Sequence, residues 1–493
     1  MSLFDKILIA NRGEIAVRII RSCKELGIRT VAIYSNVDRR SLHVLMADEA
    51  FSLGSSSPEK SYLNIEKILQ IAKKADVDAI HPGYGFLSQN PHFVRRCEEE
   101  GITFIGPPAR VHEFSGDKLN AKLFLKSKGV PVIPGSSKEV KDVDQALEEA
   151  EKLGYPVMIK PRFGGGGVGM KVCHNAEELK DSMRVCLELA RSAFGYEALY
   201  IEKFYPHAKH IEVQILADSA GNVIHMYERE CSIQRRFQKL IEEAPSPSLR
   251  DDLRALVTTL ALRVAKVIGY VNAGTVEFLY VPNEERFFFM ELNSRIQVEH
   301  PVTEMLVGVD IVKEQIKIAA GMELELDQSD ITANGHAIEA RIYAEDPYNG
   351  FLPSPGTINC YLPPRGPGIR VDDWVYTGAQ ISEYYDSLIA KLIVWDRDRS
   401  KAIARMRRAL EEFVIEGVKT NIPFHMAVMS DERFVSGKYD TRYVDELLLK
   451  GLPSSIRRLS LPVAPHERPA PQVIPMPNIT WKLSGRLLSL EED

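Results

Sequence analysis

The chain has 493 residues, of which 45% are hydrophobic and 26% charged, and its formal net charge is -6. That length corresponds to roughly three domains of ordinary size, with enough apolar material for real cores and no basic field to hold nucleic acid. No run of about 18 apolar residues would span a membrane, the opening MSLFDKILIANRGE turns polar too early for a signal peptide, and the six cysteines form no CxxC pair. The expectation is a cytoplasmic protein with reduced thiols, partnered by neither nucleic acid nor membrane.

The first third alternates short apolar strands with amphipathic helices: KILIA, then NRGEIAVRIIRSCKELG, then TVAIYS, and further on DAIHPGYG, NPHFVRRCEEEG and TFIGP. This pattern predicts a parallel sheet covered by helices. NRGEIA stands where a Rossmann phosphate loop would, but with one glycine instead of three it reads as a βα turn capped by Asn11. A second unit opens at GDKLNAKLFLKSKG. It carries YPVMIKPRFGGGGVGMKV, a long helix SLRDDLRALVTTLALRVAKVIGY, and the strands AGTVEFLYV and RFFFMELNS. A third, rich in short strands, opens after GHAIEARIYAEDP. From Pro453 to Pro477 the chain has seven prolines, which predict an extended arm.

The hairpin GTVEFLYV–PNEE–RFFFMEL gives the first chemical signal. With a three-residue loop, Asn283 to Glu285, Pro282 faces Arg286 and Glu277 falls opposite Glu291. Side chains directly opposed across antiparallel strands are roughly 5 Å apart at Cβ. Two carboxylates there repel unless a cation joins them, and hard cations such as Mg²⁺ take oxygen ligands. The alternative is a solvated cross-strand pair in a shifted register.

The glycine run Gly164 to Gly167, with Gly169, forms a loop of about nine residues between two strands, longer than an ordinary hairpin turn. Such a loop is either a linker or a backbone that closes over a ligand, its N–H groups cradling phosphate oxygens. Lys160 precedes it as a point charge for phosphate, although no Walker lysine follows.

In MELNSRIQVEH the residues Glu291, Asn293, Arg295, Gln297 and Glu299 are polar and alternate with Leu292, Ser294, Ile296 and Val298. A straight strand would put Glu291 and Glu299 roughly 26 Å apart. A bend after Asn293 would leave Glu291 and Asn293 at a metal and bring Arg295, Gln297 and Glu299 to a second pocket. That set suits a small planar anion that must lose a proton, with the guanidinium holding it and the carboxylate acting as base. The bland alternative is an edge strand of mixed charge.

Taken in order, ANRGEIAVRIIRSCKELGI, HPGYGFLSQN, FIGP, GDK, GGGGVGM, ECSIQRRFQK, EEAPSP, GTVEF, ELNSRIQVEHPVTE, RIYAEDP, FLPSPG and YYDSLIAKL resemble the biotin carboxylase family, the ATP-grasp component of biotin-dependent carboxylases of the pyruvate carboxylase or acyl-CoA carboxylase type. The resemblance covers about residues 4 to 450. It implies an α/β fold, α+β in its C-terminal part. The implied units are a Rossmann-like N-terminal domain over 1–114, an ATP-grasp domain over 115–330 with a mobile lid at about 131–204, and a biotin carboxylase C-terminal domain over 331–449. A proline-rich extension over 450–493 is read as a partner-docking segment. The implied reaction uses MgATP (or the Mn²⁺ complex) and bicarbonate to make carboxyphosphate, which carboxylates biotin.

The resemblance also implies roles. Lys118 and Lys160 would contact ATP phosphates under Gly166 and Gly167. Glu202, Lys203, Phe204 and Tyr205, with Leu279, would line the adenine, and His210 and Gln234 the ribose. Glu277 and Glu291 would hold the metal beside Asn293. Lys239, Arg295, Gln297 and the Val298 backbone would bind bicarbonate, and Glu299 would deprotonate it. Arg341 would steady charge on the biotin ureido oxygen, with Tyr84 and Asp386 bordering that pocket. Phe237, Val168, Gln89 and Arg162-Phe163 depart from the family pattern, the first two removing nucleotide contacts. They motivate a competing reading as a non-catalytic, nucleotide-sensing member of a complex; another ATP-grasp acyl-phosphate ligase is the third. No biotin-attachment turn is visible. The expected partners are therefore a separate biotin carboxyl carrier protein and a carboxyltransferase subunit, around a homodimer.

Overall fold

The computed structural model describes residues 3–163, 169–194 and 198–453. Five strands, β1 (Lys6–Ile9), β2 (Arg29–Ser35), β3 (Glu49–Gly54), β4 (Ala79–His81) and β5 (Thr103–Phe104), form a parallel sheet in the order β3-β2-β1-β4-β5. β1 is buried along its whole length, as an uninterrupted apolar strand between two helical layers should be. Asn11, just beyond β1, does not cap the following helix Gly13–Glu25. Arg12 holds the cap position without a side-chain bond, while the Asn11 amide donates to the carbonyls of Pro82 and Tyr84, both at 2.7 Å. The asparagine therefore joins the loops after β1 and β4.

A small antiparallel sheet contains β6 (Val157–Pro161), β7 (Lys171–Cys173) and β8 (Leu199–Lys203), in the order β7-β6-β8. The helices Val143–Leu153 and Ala176–Phe194 pack on it. The glycine run from Gly164 to Gly167 and Val168 lie outside the described residues, and so does the chain from residue 454.

The main sheet contains β9 (Lys209–Ala217), β10 (Val223–Arg235), β11 (Gln238–Ala244), β12 (Asn272–Val281), β13 (Arg286–Asn293) and β14 (His336–Tyr343), with the strands Ile369–Asp373 and Leu388–Asp396. Its order is β13-β12-β9-β10-β11-β14, then Leu388–Asp396 and Ile369–Asp373. The sheet thus runs unbroken from β11 into β14, and the third sequence unit begins inside it. Ile211, Val213 and Ile215 of β9 join a core built against the helix Asp251–Ile268. The alternate residues His210, Glu212 and Gln214 are buried too. Period-two alternation here separates an apolar core from a buried polar chamber, not from solvent.

The hairpin joining β12 and β13 differs from the expectation in an instructive way. Val281, not Pro282, pairs with Arg286, so the loop is four residues long, yet Glu277 still pairs with Glu291 because the register shifts between Glu277 and Phe278. The extra residue is Met290. Before it Phe287 and Phe289 enter the helix-side core, and after it Leu292 does. The β-bulge reverses the phase of the strand and re-aims Glu291 and Asn293 at the chamber. Beyond Asn293 the chain leaves the sheet and turns into the helix His300–Val307.

Candidate active site

The polar faces of β9 to β14 line a cavity of about 510 Å³ that also takes in the segment from Asn293 to Glu299. Lys118, Lys160, His210, Gln234, Lys239, Glu277, Glu291, Asn293, Arg295, Gln297, Val298, Glu299 and Arg341 all line it. The separate second pocket expected for Arg295, Gln297 and Glu299 is therefore part of one cavity. Lys239 makes the join: its ammonium donates to Glu277 at 3.0 Å, to Glu299 at 2.7 Å and to Glu212.

Glu299 accepts from Lys239 on one oxygen and from Arg341 Nη2, at 2.9 Å, on the other. Burial pushes its pKa up, but Lys239, Arg341 and Arg229 outweigh burial and hold it well below the ordinary carboxylate range. Glu277 is likewise held low, burial being overcome by Lys239 and His210. It accepts from Asn293 at 2.8 Å and Gln297 at 2.9 Å, and His210 stands 3.0 Å away. Glu291 pairs with Lys118 at 2.6 Å. Arg295 donates to Asn293 at 3.0 Å and to Gln89 at 2.9 Å, so both of these partners are uncharged amides.

Behind this wall lies fully buried Arg229. It bonds to Glu212, Gln214, Thr275, Thr303 and Gln297. Lys391, also fully buried, donates to the Val298 carbonyl at 2.9 Å and stands 3.1 Å from Glu14, which accepts the Tyr84 hydroxyl. Tyr84 and Asp386 are not among the residues that line the cavity, but both lie within electrostatic reach of Arg341, which does. Asp386 accepts the Leu388 N–H at 2.9 Å. Sequence reasoning missed Glu212, Arg229, Glu14 and Lys391. The alternation in HIEVQIL was the available signal for Glu212; Arg229 and Lys391 had none.

A second lobe of about 310 Å³ adjoins the first, sharing Lys160, Met170, His210, Gln234, Phe237 and Met290. Its other walls are Ile133, Met158, Val172, Glu202, Lys203, Phe204, Tyr205 and Leu279, with Thr441, Arg442 and Asp445, and together they make a mostly apolar slot. Glu202 is shared between Lys160, at 2.8 Å, and Lys122. Burial and neighbouring Lys118 pull the Lys160 ammonium down to about 8. Arg236 and Phe237 make the tight turn between β10 and β11 with φ of 49° and 66°, a left-handed pair that bulky residues seldom adopt. Phe237 is half-exposed and faces both lobes. Arg162 pairs with Asp117 and Glu139.

The residues suit a hard divalent cation. Glu277 and Glu291 are opposed carboxylates with Asn293 on the same face, an all-oxygen donor set. Among the described residues the three-residue clusters of possible ligands are instead His210–Glu212–Glu277 and Glu212–Cys231–Glu299. The first shares Glu277 with the set above, and Lys239 pairs with Glu212, Glu277 and Glu299 alike.

Comparison with known proteins agrees with this geometry. Residues 3–111 match the family model "Biotin carboxylase, N-terminal domain", 117–327 "Carbamoyl-phosphate synthase L chain, ATP binding domain", and 339–446 "Biotin carboxylase C-terminal domain". The chain is 53% identical to biotin carboxylase 1 of Bacillus subtilis over 90% of its own length and 98% of that protein's. It is 52% identical to a pyruvate carboxylase subunit of Methanothermobacter thermautotrophicus, covering 93% of this chain and 92% of that one. Among solved structures, the biotin carboxylase domain dimer of Hydrogenobacter thermophilus 2-oxoglutarate carboxylase, in complex with MgADP, ADP and bicarbonate, superposes with a TM-score of 0.88. It is 52% identical, over 90% of this chain and 98% of that one. The central module is of a kind shared with carbamoyl-phosphate synthase, but the two flanking modules and these relatives decide the assignment: the chain belongs to the biotin carboxylase family.

Proposed function

We propose that the protein carboxylates biotin at the expense of ATP, using bicarbonate and passing through carboxyphosphate, as the first half-reaction of a multisubunit carboxylase. The observation that carries this reading is the meeting, in one cavity, of a carboxylate held ionised by two cations, an anion-sized polar pocket and a lysine-lined phosphate region beside an apolar slot.

In this reading the apolar lobe takes the adenine against Leu279, Phe204 and Tyr205, with His210 and Gln234 at the ribose. Lys118 and Lys160 meet the phosphates. Glu277, Glu291 and Asn293 would hold Mg²⁺, which when bound would neutralise phosphate charge and help orient the γ-phosphate. Bicarbonate enters among Lys239, Arg295, Gln297 and the Val298 backbone. There it takes over part of the hydrogen bonding that Lys239 and Arg341 now give to Glu299. Released from those cations, Glu299 becomes more basic and accepts the bicarbonate proton. The resulting oxyanion attacks the γ-phosphorus and ADP leaves. Because carboxyphosphate hydrolyses readily, closure of the lid serves to exclude water. Arg341 then faces the ureido oxygen of biotin and stabilises its developing negative charge.

The biotin belongs to a separate carrier protein, and the carboxyl group passes to a carboxyltransferase subunit; the protein works as a homodimer within that complex. Among the described residues no helix is long and apolar enough to cross a membrane. The experiment is ATP cleavage by the purified chain with bicarbonate, with and without free biotin. Biotin-stimulated, bicarbonate-dependent turnover that disappears in Glu299→Gln is expected. ATP cleavage indifferent to biotin would overturn the reading.

A further inference from the structure

The sheet holds one pair of acids for which the reaction above has no use. Glu242 of β11 and Glu339 of β14 are direct cross-strand partners. Neither has any solvent exposure. Among the described residues, both oxygens of Glu339 and Oε2 of Glu242 lack a hydrogen-bond partner. The remaining oxygen, Glu242 Oε1, accepts Arg341 Nε at 2.6 Å, and the same guanidinium donates to Glu299 at 2.9 Å. Arg341 is thus clamped between the carboxylate assigned as base and a carboxylate that belongs to an otherwise unsatisfied pair.

We propose that Glu242 and Glu339 share a single proton, and that Glu242 is thereby kept as a one-sided acceptor that positions the Arg341 guanidinium beside Glu299 and the biotin-facing end of the cavity. Two ionised carboxylates cannot face each other in a dry site without cations to match. The charged and titratable groups around the pair are Arg341 on β14 itself, Lys239 on β11, Cys231 on β10, Lys391 on the strand Leu388–Asp396, and Glu299, His300 and Glu304 at the helix His300–Val307. Lys239 is taken by Glu212, Glu277 and Glu299, and Lys391 by Glu14 and the Val298 carbonyl. Glu304 is bound by Arg18 and Arg370. Burial holds His300 neutral, well below its ordinary range. Among the described residues no cation is left for Glu339. Burial accordingly pushes the Glu339 carboxyl well above the ordinary range, and pushes Glu242 up to about 7 against the pull of Arg341. With the proton in place, one carboxylate of the pair competes with Glu299 for Arg341. Once it is lost, two do, and the guanidinium is drawn off the biotin-facing end.

The test is the pH profile of biotin-stimulated ATP cleavage by the full chain, together with its infrared spectrum. In Glu339→Gln, whose amide cannot ionise and can still donate to Glu242, the alkaline limb moves up by about one pH unit or more relative to that variant's own plateau. In Glu242→Gln, kcat with biotin falls by on the order of tenfold, while bicarbonate-dependent cleavage without biotin falls much less. A protonated-carboxyl C=O band is present in the wild type at neutral pH and missing from Glu339→Gln. Superimposable alkaline limbs, equal losses with and without biotin in Glu242→Gln, or a wild-type spectrum without that band each overturn the proposal. The role given to Arg341 rests on the biotin carboxylase reading, but the two fail separately. A Glu299→Gln enzyme that still carboxylates biotin would fault that reading, whereas the infrared band reports the shared proton whatever the reaction is.

Discussion

The two lobes of the cavity are built on opposite plans. In the charged lobe nearly every polar atom already has a protein partner: Lys239 serves three carboxylates, Arg229 serves five side chains, and Glu299 is held on both oxygens. A ligand entering there must exchange bonds rather than fill empty space, so binding and activation of the base are one event. The apolar lobe, walled by Met158, Phe204, Tyr205, Leu279 and Met290, offers surface and shape. A ligand there gains by burial and leaves the protein's own bonds intact. The lesson is that the first lobe sets the rate and the second the affinity.

Four experiments sharpen or break that division. The largest effect is expected from Glu299→Gln, which keeps the shape but removes the proposed base and should lower biotin-stimulated kcat by about 10²- to 10⁴-fold, with KM for ATP nearly unchanged. Arg229→Leu comes next. It leaves buried Glu212 without its guanidinium and should destabilise the fold by about 3–5 kcal/mol in urea unfolding. A small loss would mean that the charged lobe is less tightly coupled than its bonds imply. Leu279→Ala should raise KM for ATP about tenfold with little change in kcat; a fall in kcat instead would erase the distinction between lobes. The smallest is a pH effect. Lys160 loses its charge as pH rises through about 8, because burial and Lys118 disfavour the ammonium. In the proposed reading the charged form is the one that meets phosphate, so KM for ATP should rise about fivefold between pH 8 and 9. Lys160→Arg should flatten that rise.

Much of this architecture could be read from the chain. The alternation of strands and helices announced the parallel N-terminal sheet, and the ordered motifs announced the family. The pairing of Glu277 with Glu291 was reached by counting from a loop one residue too short, and it holds only because Met290 restores the lost residue. A bulge is invisible to a periodicity argument, since the sequence on either side of it still alternates. Glu212 escaped notice for a different reason, while Arg229, between Glu228 and Glu230, and Lys391, inside LIAKLIVW, stand in no alternating pattern at all. A polar residue alternating with apolar neighbours has the same spacing whether the far face meets water or another layer of protein. Here the segment Asn293–Glu299 and the helix His300–Val307 cover that face, and nothing local in β9 or β10 announces the cover. Asn11 shows the limit from the other side: an asparagine before a helix is usually a cap, but these carbonyls of Pro82 and Tyr84 lie some seventy positions away in the chain.

The extra residue in β13 carries a lesson for anyone who edits this protein. Because Met290 flips the phase of its strand, the facing of the chamber's side chains is fixed by how many residues lie between Phe289 and Glu291, not only by which they are. Deleting that single methionine would close the bulge and leave Glu291 opposite Glu277, whereas inserting a second residue beside it would turn Glu291 and Asn293 into the hydrophobic layer beneath Asp251–Ile268 and swing Leu292 out toward the chamber. A one-codon insertion would then do more damage than the matching deletion, and grafting this site onto another scaffold would require matching the residue count along with the acids.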